Sequence, residues 1–203
     1  MVLIEEVEVQ LDFADLRLRQ LLSRPLLPPE RASGIHLSGV LRHIVHTSRM
    51  TNWQRYASDL EASQQYPLIW AMGVMWEEFV ASCYPSWVWQ PGQVEWNGIS
   101  MNADGLNYLD EYNSTVIEEA KWTSVKRKTG EEFMQDWLKM QQGGGYCVGY
   151  GAELVRWHVC CCQRPWEPVY MRYLVRFEEK DLESTRKMLD ANRQGAVEAG
   201  YGE

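Results

Sequence analysis

The residues of this sequence best suited to chemistry lie in one stretch, residues 97–125, which carries Asp104, Glu119 and Lys121. The stretch is predicted to form two short strands joined by a polar turn. Successive side chains of a strand point to opposite faces, so Glu119 and Lys121 share a face while Glu118 points the other way. Across the hairpin Asp104 can approach Glu119. Two carboxylates and one ammonium group are therefore expected within a few ångströms of each other.

This combination of groups is typical of metal-assisted hydrolysis. Carboxylate oxygens suit Mg²⁺, which keeps several of its waters and takes only one or two carboxylates from a protein. A bound metal ion lowers the pKa of its water and offsets the charge that develops on a phosphoryl oxygen. A neighbouring lysine can orient the attacking water or neutralise the transition state. The alternative at this point is an ordinary solvent-exposed acidic hairpin in which Lys121 pairs with a glutamate.

Two predicted helices precede the hairpin. Residues 66–84 form the more strongly patterned one, and Glu77 and Glu78, which interrupt its apolar sequence, are either rim residues or part of a site. The side chains expected on its buried face are Leu68, Met72, Met75, Phe79 and Cys83. The other helix covers residues 38–50, with Ser38 as its N-cap. Its outer face is basic, which also suits a simple solvated surface, and carries Arg42, His43, His46 and Arg49.

The elements after the hairpin are predicted from similar signals. A helix is expected over residues 131–142, and the glycines at 143–145 either end it or bend it. Two strands follow, over residues 153–161 and 168–177, close enough in sequence to form a second hairpin. A charged helix is predicted last, over residues 181–193.

Residues 1–30 are predicted to form an N-terminal arm with a linker. Residues 2–13 alternate loosely between apolar and polar side chains, which favours a strand. Residues 24–31 contain three prolines, which prevent a continuous helix. We therefore interpret residues 31–203 as the main domain, joined to the arm by this proline-rich linker.

Length and composition limit the class of protein. The chain has 203 residues, 45% hydrophobic and 24% charged, as in a soluble domain with a sizeable core. Its net charge of −8 argues against a protein that coats nucleic acid without specificity, although the basic residues cluster apart from the acidic ones. Five cysteines, three of them consecutive, form neither a disulfide framework nor paired CxxC motifs. No membrane span or secretion signal is visible, so a cytoplasmic location is expected.

Four motifs in a fixed order resemble those of the PD-(D/E)XK nuclease superfamily, within it the RecB-like branch and the bacteriophage lambda exonuclease type. They are Gly73-Val-Met-Trp-Glu77 (GxxxE), Asp104-Gly105 (PDG), Glu119-Ala-Lys121 (ExK) and Gln142-Gly-Gly-Gly-Tyr146 (QxxxY). Upstream, Arg31 and Ser38 lie in RASGIHLSGVLRHI, which is similar to the family's segment whose Arg and Ser contact a terminal phosphate. The resemblance spans residues 31–146. Its one departure is Ala103, where the family has the proline of PDG.

The resemblance implies a role for each matched residue. Asp104, Glu119 and the carbonyl oxygen of Ala120 would hold Mg²⁺, for which Mn²⁺ would substitute. Glu77 would complete the acidic cluster, and it is preferred to Glu78 because the GxxxE spacing counts from Gly73. Lys121 would position or activate water, and Gln142 would orient the site. The residues implied for DNA binding are Arg31, Ser38, Arg42 and Tyr146.

The same resemblance implies a fold and a function. The fold would be α/β, with a central mixed sheet of about five strands flanked by helices. The function would be metal-dependent hydrolysis of DNA phosphodiesters, favouring an exonuclease on linear ends in phage-type recombination or DNA processing. Besides DNA, the implied partners are a single-strand annealing or recombination protein and further copies of the chain in a homo-oligomer. No membrane partner is expected.

Three alternatives stay open. The first is an endonuclease. The second is an end-trimming nuclease of the CRISPR-adaptation type, which usually carries cysteines for an iron–sulfur cluster. Here Cys83 is isolated and Cys160–Cys162 are contiguous, which is poor spacing for a cluster. The third is a non-catalytic nucleic-acid-binding or assembly protein on the same scaffold, against which the intact Asp104 and ExK motif argue.

Overall fold

The structure, a computed structural model, describes residues 1–9, 34–48, 50–51, 67–123, 126–162 and 168–201, with the backbone alone for residues 67–70. Its strands are β1 (Val2–Val9), β2 (Val88–Trp89), β3 (Val94–Trp96), β4 (Ile99–Met101), β5 (Gly105–Leu109), β6 (Ser114–Thr123), β7 (Leu154–Cys161) and β8 (Val169–Arg176). Its helices are α1 (Leu37–Thr47), α2 (Pro67–Cys83), α3 (Gly130–Met134), α4 (Trp137–Tyr150) and α5 (Glu179–Glu198), and a 3₁₀ turn covers Asp110–Tyr112. None of these helices has the length and apolar character needed to cross a membrane.

In the described part of the chain six strands form one mixed sheet in the order β1-β8-β7-β6-β5-β2, and β3 and β4 form a separate two-stranded sheet. Within the six-stranded sheet β6 and β7 run parallel, and the other neighbours are antiparallel. A parallel pair needs a crossover connection, which here contains α3 and α4. The predicted α/β class with a mixed sheet flanked by helices is confirmed, with six strands in the main sheet. The strand pair β7–β8 lies where it was predicted, and α5 is longer than predicted.

β1 is an outer strand of the main sheet. It pairs with β8 from Val2 opposite Arg176 to Val9 opposite Tyr170, with an irregularity between Leu3 and Glu5. The strand predicted near the N-terminus is therefore present, and it belongs to the six-stranded sheet. The predicted proline-rich linker and the predicted boundary after residue 30 lie outside the described residues.

Different helices cover the two faces of the sheet. α4, together with α1 and α5, covers the face that carries Trp157 and Tyr173. α2 covers the opposite face, where Phe79 and Val80 pack in one cluster with Cys160. Because strand side chains alternate, β6 presents its odd-numbered residues to the α4 side and its even-numbered residues to the α2 side.

The predicted hairpin is confirmed as β5 and β6. Its turn contains the 3₁₀ segment followed by Asn113, whose φ of 47° lies in the left-handed region that asparagine tolerates. At the far end of the ladder Gly105 lies opposite Glu118. Asp104 is therefore the residue just before β5, and its position along the ladder is beside Glu119.

α1 lies where the sequence predicts a helix, but it begins earlier. The N-cap is His36 and not Ser38, which is exposed in the first turn. The physical reason is a bridge between His36 and Ser100 of β4, which holds the backbone of His36 extended and lets the helix begin at Leu37.

The face of α2 that packs on the sheet is rotated from the predicted one. Phe79 is buried as predicted, but Cys83 is exposed and Met72 is only half-buried. Among the described side chains of α2, Trp76 and Val80 are also buried. Trp76 favours this orientation because its indole N–H donates to the carbonyl oxygen of His158 in β7, at 2.8 Å. A buried N–H group is costly without such a partner.

The helix predicted over residues 131–142 is divided in two. α3 ends at Met134, and α4 begins at Trp137 with Asp136 as its N-cap. The glycines at 143–145 do not end α4, which continues through them to Tyr150. Without side chains they allow close packing on three neighbours. An added Cβ would come within 3.1 Å of a side-chain atom in each case: Phe177 for Gly143, Thr185 for Gly144 and Leu37 for Gly145.

Candidate active site

Asp104, Glu119 and Lys121 lie together at one end of the β5–β6 hairpin. The Asp104 carboxylate accepts a hydrogen bond from the backbone N–H of Ala120, at 2.8 Å, which holds it beside β6. The ammonium group of Lys121 is 2.7 Å from Oε1 of Glu119. Glu119 is only 1% exposed. The end of the hairpin that carries Glu119 is therefore buried, in contrast to the alternative of a solvent-exposed acidic hairpin.

Burial gives these carboxyl groups a high affinity for protons. Desolvation and then the negative charge of Asp104 raise the pKa of Glu119 to about 8, although Lys121 opposes the shift. Desolvation also raises the pKa of Asp104, against the effects of Lys121 and the Ala120 N–H. Burial alone would lower the pKa of Lys121, but the charges of Glu119 and Asp104 raise it. Near neutral pH the cluster therefore holds a charged lysine and at least one carboxyl proton.

α2 adds a third carboxyl group, that of Glu77. Desolvation and then the charge of Asp104 raise its pKa well above the ordinary value, while Lys121 lowers it. Asp104, Lys121 and Glu119 all influence the pKa of Glu77, which places this residue near the cluster. The neighbouring Glu78 is half-buried, and its Oε2 has no hydrogen-bond partner among the described residues. One residue turns a helix by about 100°, so the two carboxyl groups point in different directions.

α4 contributes Gln142 and Tyr146, which are four residues apart and so lie on one face of the helix. The side-chain NH₂ of Gln142 donates to Oε1 of Glu119 and to the hydroxyl oxygen of Tyr146, both at 2.9 Å. Tyr146 is buried, and desolvation followed by the charge of Glu119 raises its pKa, so it stays neutral. Gln142 therefore fixes the orientation of the Glu119 carboxylate.

The oxygen donors of the cluster fit a magnesium ion. Lys121 and Gln142 use Oε1 of Glu119, whereas Oε2 is buried without a hydrogen-bond partner among the described residues. Such an oxygen is costly to bury, and a cation would satisfy it. Among the described residues no group of three or more His, Cys, Asp and Glu side chains is placed to hold a metal ion. Mg²⁺ needs only one or two carboxylates together with water, a requirement that Asp104 and Glu119 meet.

The residues predicted to bind DNA are not all at this cluster. Tyr146 lies at the cluster, where it contacts Gln142. Arg31 lies outside the described residues. Ser38 is exposed at the start of α1, next to Leu37, which packs on α4 at Gly145. The guanidinium group of Arg42 lies over the ring of Tyr201, 5.3 Å from its centre, so this residue packs against the C-terminal part of the chain.

Glu118 is a buried carboxylate that the sequence analysis did not select. It is 2% exposed and lies on the α2 side of β6. Nε2 of His158 is 2.7 Å from one of its oxygens, and Nη1 of Arg156 is 3.4 Å from the other. Both partners are in β7, in parallel register with β6. The available signal was the polar pair Arg156 and His158 at alternate positions of an apolar strand, but its meaning depends on knowing which strands are neighbours.

Comparison with known proteins identifies relatives by structure. No family model and no curated protein matches the sequence. An alkaline exonuclease from Laribacter hongkongensis has a similar structure, with a TM-score of 0.55, 14% identity, and coverage of 82% of this chain and 89% of its own. The same enzyme in complex with dAMP gives a TM-score of 0.52 at 13% identity, with the same coverage. A phage-related exonuclease from Haemophilus somnus gives 0.52 at 7% identity, covering 82% of this chain and 94% of its own.

These similarities extend over most of each chain, although the identities do not exceed 14%. Likeness at that level concerns the path of the backbone and not the chemistry of individual side chains. The protein shares the fold of these exonucleases.

Proposed function

We propose that the protein is a metal-dependent deoxyribonuclease that hydrolyses phosphodiester bonds, acting as an exonuclease on linear DNA ends in phage-type recombination or DNA processing. The observation that carries the proposal is the position of Lys121, 2.7 Å from the buried Glu119 and close to Asp104. The shared fold supports it, because the structural neighbours are exonucleases and one was solved with dAMP. The further partners that we propose, on the resemblance alone, are an annealing or recombination protein and other copies of the chain.

Each residue of the cluster has a distinct task in this proposal. Asp104 and Glu119, with the carbonyl oxygen of Ala120, hold Mg²⁺ or Mn²⁺, and Glu77 completes the acidic cluster from α2. The ion, when bound, supplies a water of lowered pKa and offsets charge on the scissile phosphate. Lys121 donates hydrogen bonds to the attacking water or to a phosphate oxygen. These tasks require Glu119 to keep one orientation.

Gln142 supplies that orientation. Its NH₂ group occupies Oε1 of Glu119 together with Lys121, so that Oε2 is the oxygen left to bind the ion. The continuous helix through the glycines keeps Gln142 and Tyr146 on one face of α4. A fixed rotamer before the substrate arrives reduces the reorganisation that catalysis requires.

An acidic chain can hold DNA at this site because the local charge is positive beyond β6. Lys126, Lys128 and Lys139 line a small cavity together with Thr123, which is two residues after Lys121 on the same face of β6. Asp136 pairs with two of these lysines, so the cavity keeps a positive excess. Phosphate contacts made by lysines weaken as salt concentration rises, so cleavage at low substrate concentration should be strongly salt-dependent.

The proposal is tested with end-labelled linear duplex and closed circular DNA, each incubated with Mg²⁺ and with EDTA at fixed salt. We expect degradation of the linear DNA alone, and only with Mg²⁺. Circular DNA cut as readily as linear DNA would make the protein an endonuclease. DNA binding without cleavage under either condition would make it a non-catalytic nucleic-acid-binding protein.

A further inference from the structure

His158 is a buried residue that the proposed chemistry does not use. It lies in β7 on the face covered by α2 and is 0% exposed. Its Nε2 donates to a carboxylate oxygen of Glu118 at 2.7 Å, and its Nδ1 accepts from the hydroxyl group of Tyr170. The Tyr170 hydroxyl is in turn 3.1 Å from that of Tyr84, which follows α2. Both ring nitrogens therefore have partners, and those partners define the neutral tautomer.

Two of the contacts of His158 lead directly to elements that carry the site carboxylates. Glu118, which accepts from its ring, immediately precedes Glu119 in β6. Trp76, whose indole N–H donates to its carbonyl oxygen at 2.8 Å, immediately precedes Glu77 in α2. A shift of His158 would therefore move the backbone beside both carboxylates.

A third contact leads to Asp104 through Trp87. The indole of Trp87 stacks on the His158 ring, with centroids 5.3 Å apart and planes inclined by 23°. Trp87 also lies against Gly105, so closely that a Cβ on this glycine would be 1.1 Å from the indole nitrogen. Gly105 immediately follows Asp104. All three carboxylates are thus next in sequence to a residue that contacts His158 or the indole stacked on it.

Buried carboxylates repel one another, so they stay close together only if the surrounding structure holds them there. We propose that His158 is a positioning residue that sets the relative placement of Glu77, Asp104 and Glu119 by joining α2, β5 and β6 to β7. The inference rests on the proposed function, since this placement matters for binding a divalent cation. Groups that orient metal ligands without binding the metal typically change its affinity by about 10- to 100-fold when they are removed.

The alternative is that His158 only stabilises the core. Three variants separate the two roles. His158→Leu removes both ring hydrogen bonds, and Trp76→Phe keeps an aromatic ring but removes the hydrogen bond from α2 to β7. Leu174→Ala is the matched control, because Leu174 is fully buried in a separate cluster with Val116 and Leu154. Its truncation leaves a cavity and lowers stability in a cluster that contains neither Trp76 nor Trp87.

The experiment measures Mn²⁺ binding to each protein by isothermal titration calorimetry, and the thermal unfolding midpoint without metal. We expect the Mn²⁺ dissociation constant to rise about tenfold or more in His158→Leu, and by a smaller factor in Trp76→Phe. Leu174→Ala should keep the parent's dissociation constant despite a comparable loss of thermal stability. If His158→Leu does not fold, the comparison of Trp76→Phe with Leu174→Ala still distinguishes the positioning role from a role in core stability alone.

Two outcomes would overturn the positioning role while leaving the proposed function intact. One is a His158 or Trp76 variant that binds Mn²⁺ as tightly as the parent. The other is a Leu174→Ala protein whose binding weakens to the same extent, since stability alone would then explain the effect. A parent protein that binds no Mn²⁺ would overturn the metal site of the proposed function, and the positioning role with it.

Discussion

Binding of Mg²⁺ to the carboxylate cluster should release about one proton per molecule near neutral pH, because Glu119 must ionise to become a ligand. The pKa of Glu119 is raised to about 8, by burial and then by the charge of Asp104. A group with that pKa is protonated in roughly nine molecules of ten at pH 7 and in roughly one of ten at pH 9. The apparent affinity for Mg²⁺ should therefore rise about tenfold per pH unit below pH 8 and level off above it.

The proton is counted by calorimetry. Mg²⁺ is titrated into the protein at pH 7 in two buffers that differ in their ionisation enthalpy, and the difference in heat gives the number of protons released. The same pair of titrations at pH 9 should show almost none. Glu78→Gln is the matched control, because it removes a neighbouring carboxylate of α2 and should leave the proton count unchanged. Equal heats in the two buffers at pH 7 would refute the reasoning.

The same pKa has a consequence for the stability of the metal-free protein. A carboxyl group with a higher pKa in the folded state than in the unfolded chain binds more protons when folded. Its favourable contribution is therefore complete below the ordinary pKa of 4.5 and is lost as pH rises to about 8. Thermal unfolding without metal should move to lower temperature across this range. Glu119→Gln should reduce the dependence, and added Mg²⁺ should restore stability to the parent protein at pH 8.

Three further outcomes are expected. Lys121→Ala should lower the cleavage rate by about 10²- to 10³-fold with little change in DNA affinity or folding, and near-parent activity would remove Lys121 from the chemistry. Glu77→Gln should cripple Mg²⁺-dependent cleavage and Glu78→Gln should be mild; the reverse order of activities would show that Glu78 is the helix carboxylate of the site. Gly144→Val should destabilise the protein by about 1–3 kcal/mol in denaturant unfolding, because an added Cβ would lie 2.9 Å from a side-chain atom of α5. Gly73→Ala in α2, where no described atom lies within 4 Å of an added Cβ, should not destabilise it.

Local periodicity was sufficient to predict the hairpin that carries the cluster. The alternation of strand side chains places Glu119 and Lys121 on one face, and the structure has them in contact at 2.7 Å. These inferences succeed because they depend only on residues that are near in sequence.

The features that could not be predicted depend on neighbours that are distant in sequence. The glycines between Gln142 and Tyr146 are expected from the sequence to end or bend the helix, yet close packing on other elements keeps them inside α4. The orientation of α2 follows from the hydrogen bond of Trp76 to a strand more than 80 residues away. The sequence shows only that Glu118 points away from Glu119. Its burial is explained once β7 is known to lie beside β6, with His158 and its hydrogen bond.

The place of β1 at the edge of the sheet implies an order of folding. Val2 lies opposite Arg176, so β1 has no partner until β8 has been synthesised. The β5–β6 and β7–β8 hairpins close over much shorter loops and can form earlier, because loop-closure entropy grows with the length of the loop. Until β1 docks, the outer edge of β8 is an unpaired strand that other chains can join. The glutamates of β1 discourage its own pairing with a second copy during this interval. We therefore expect aggregation during refolding to be most severe in the time before β1 reaches β8.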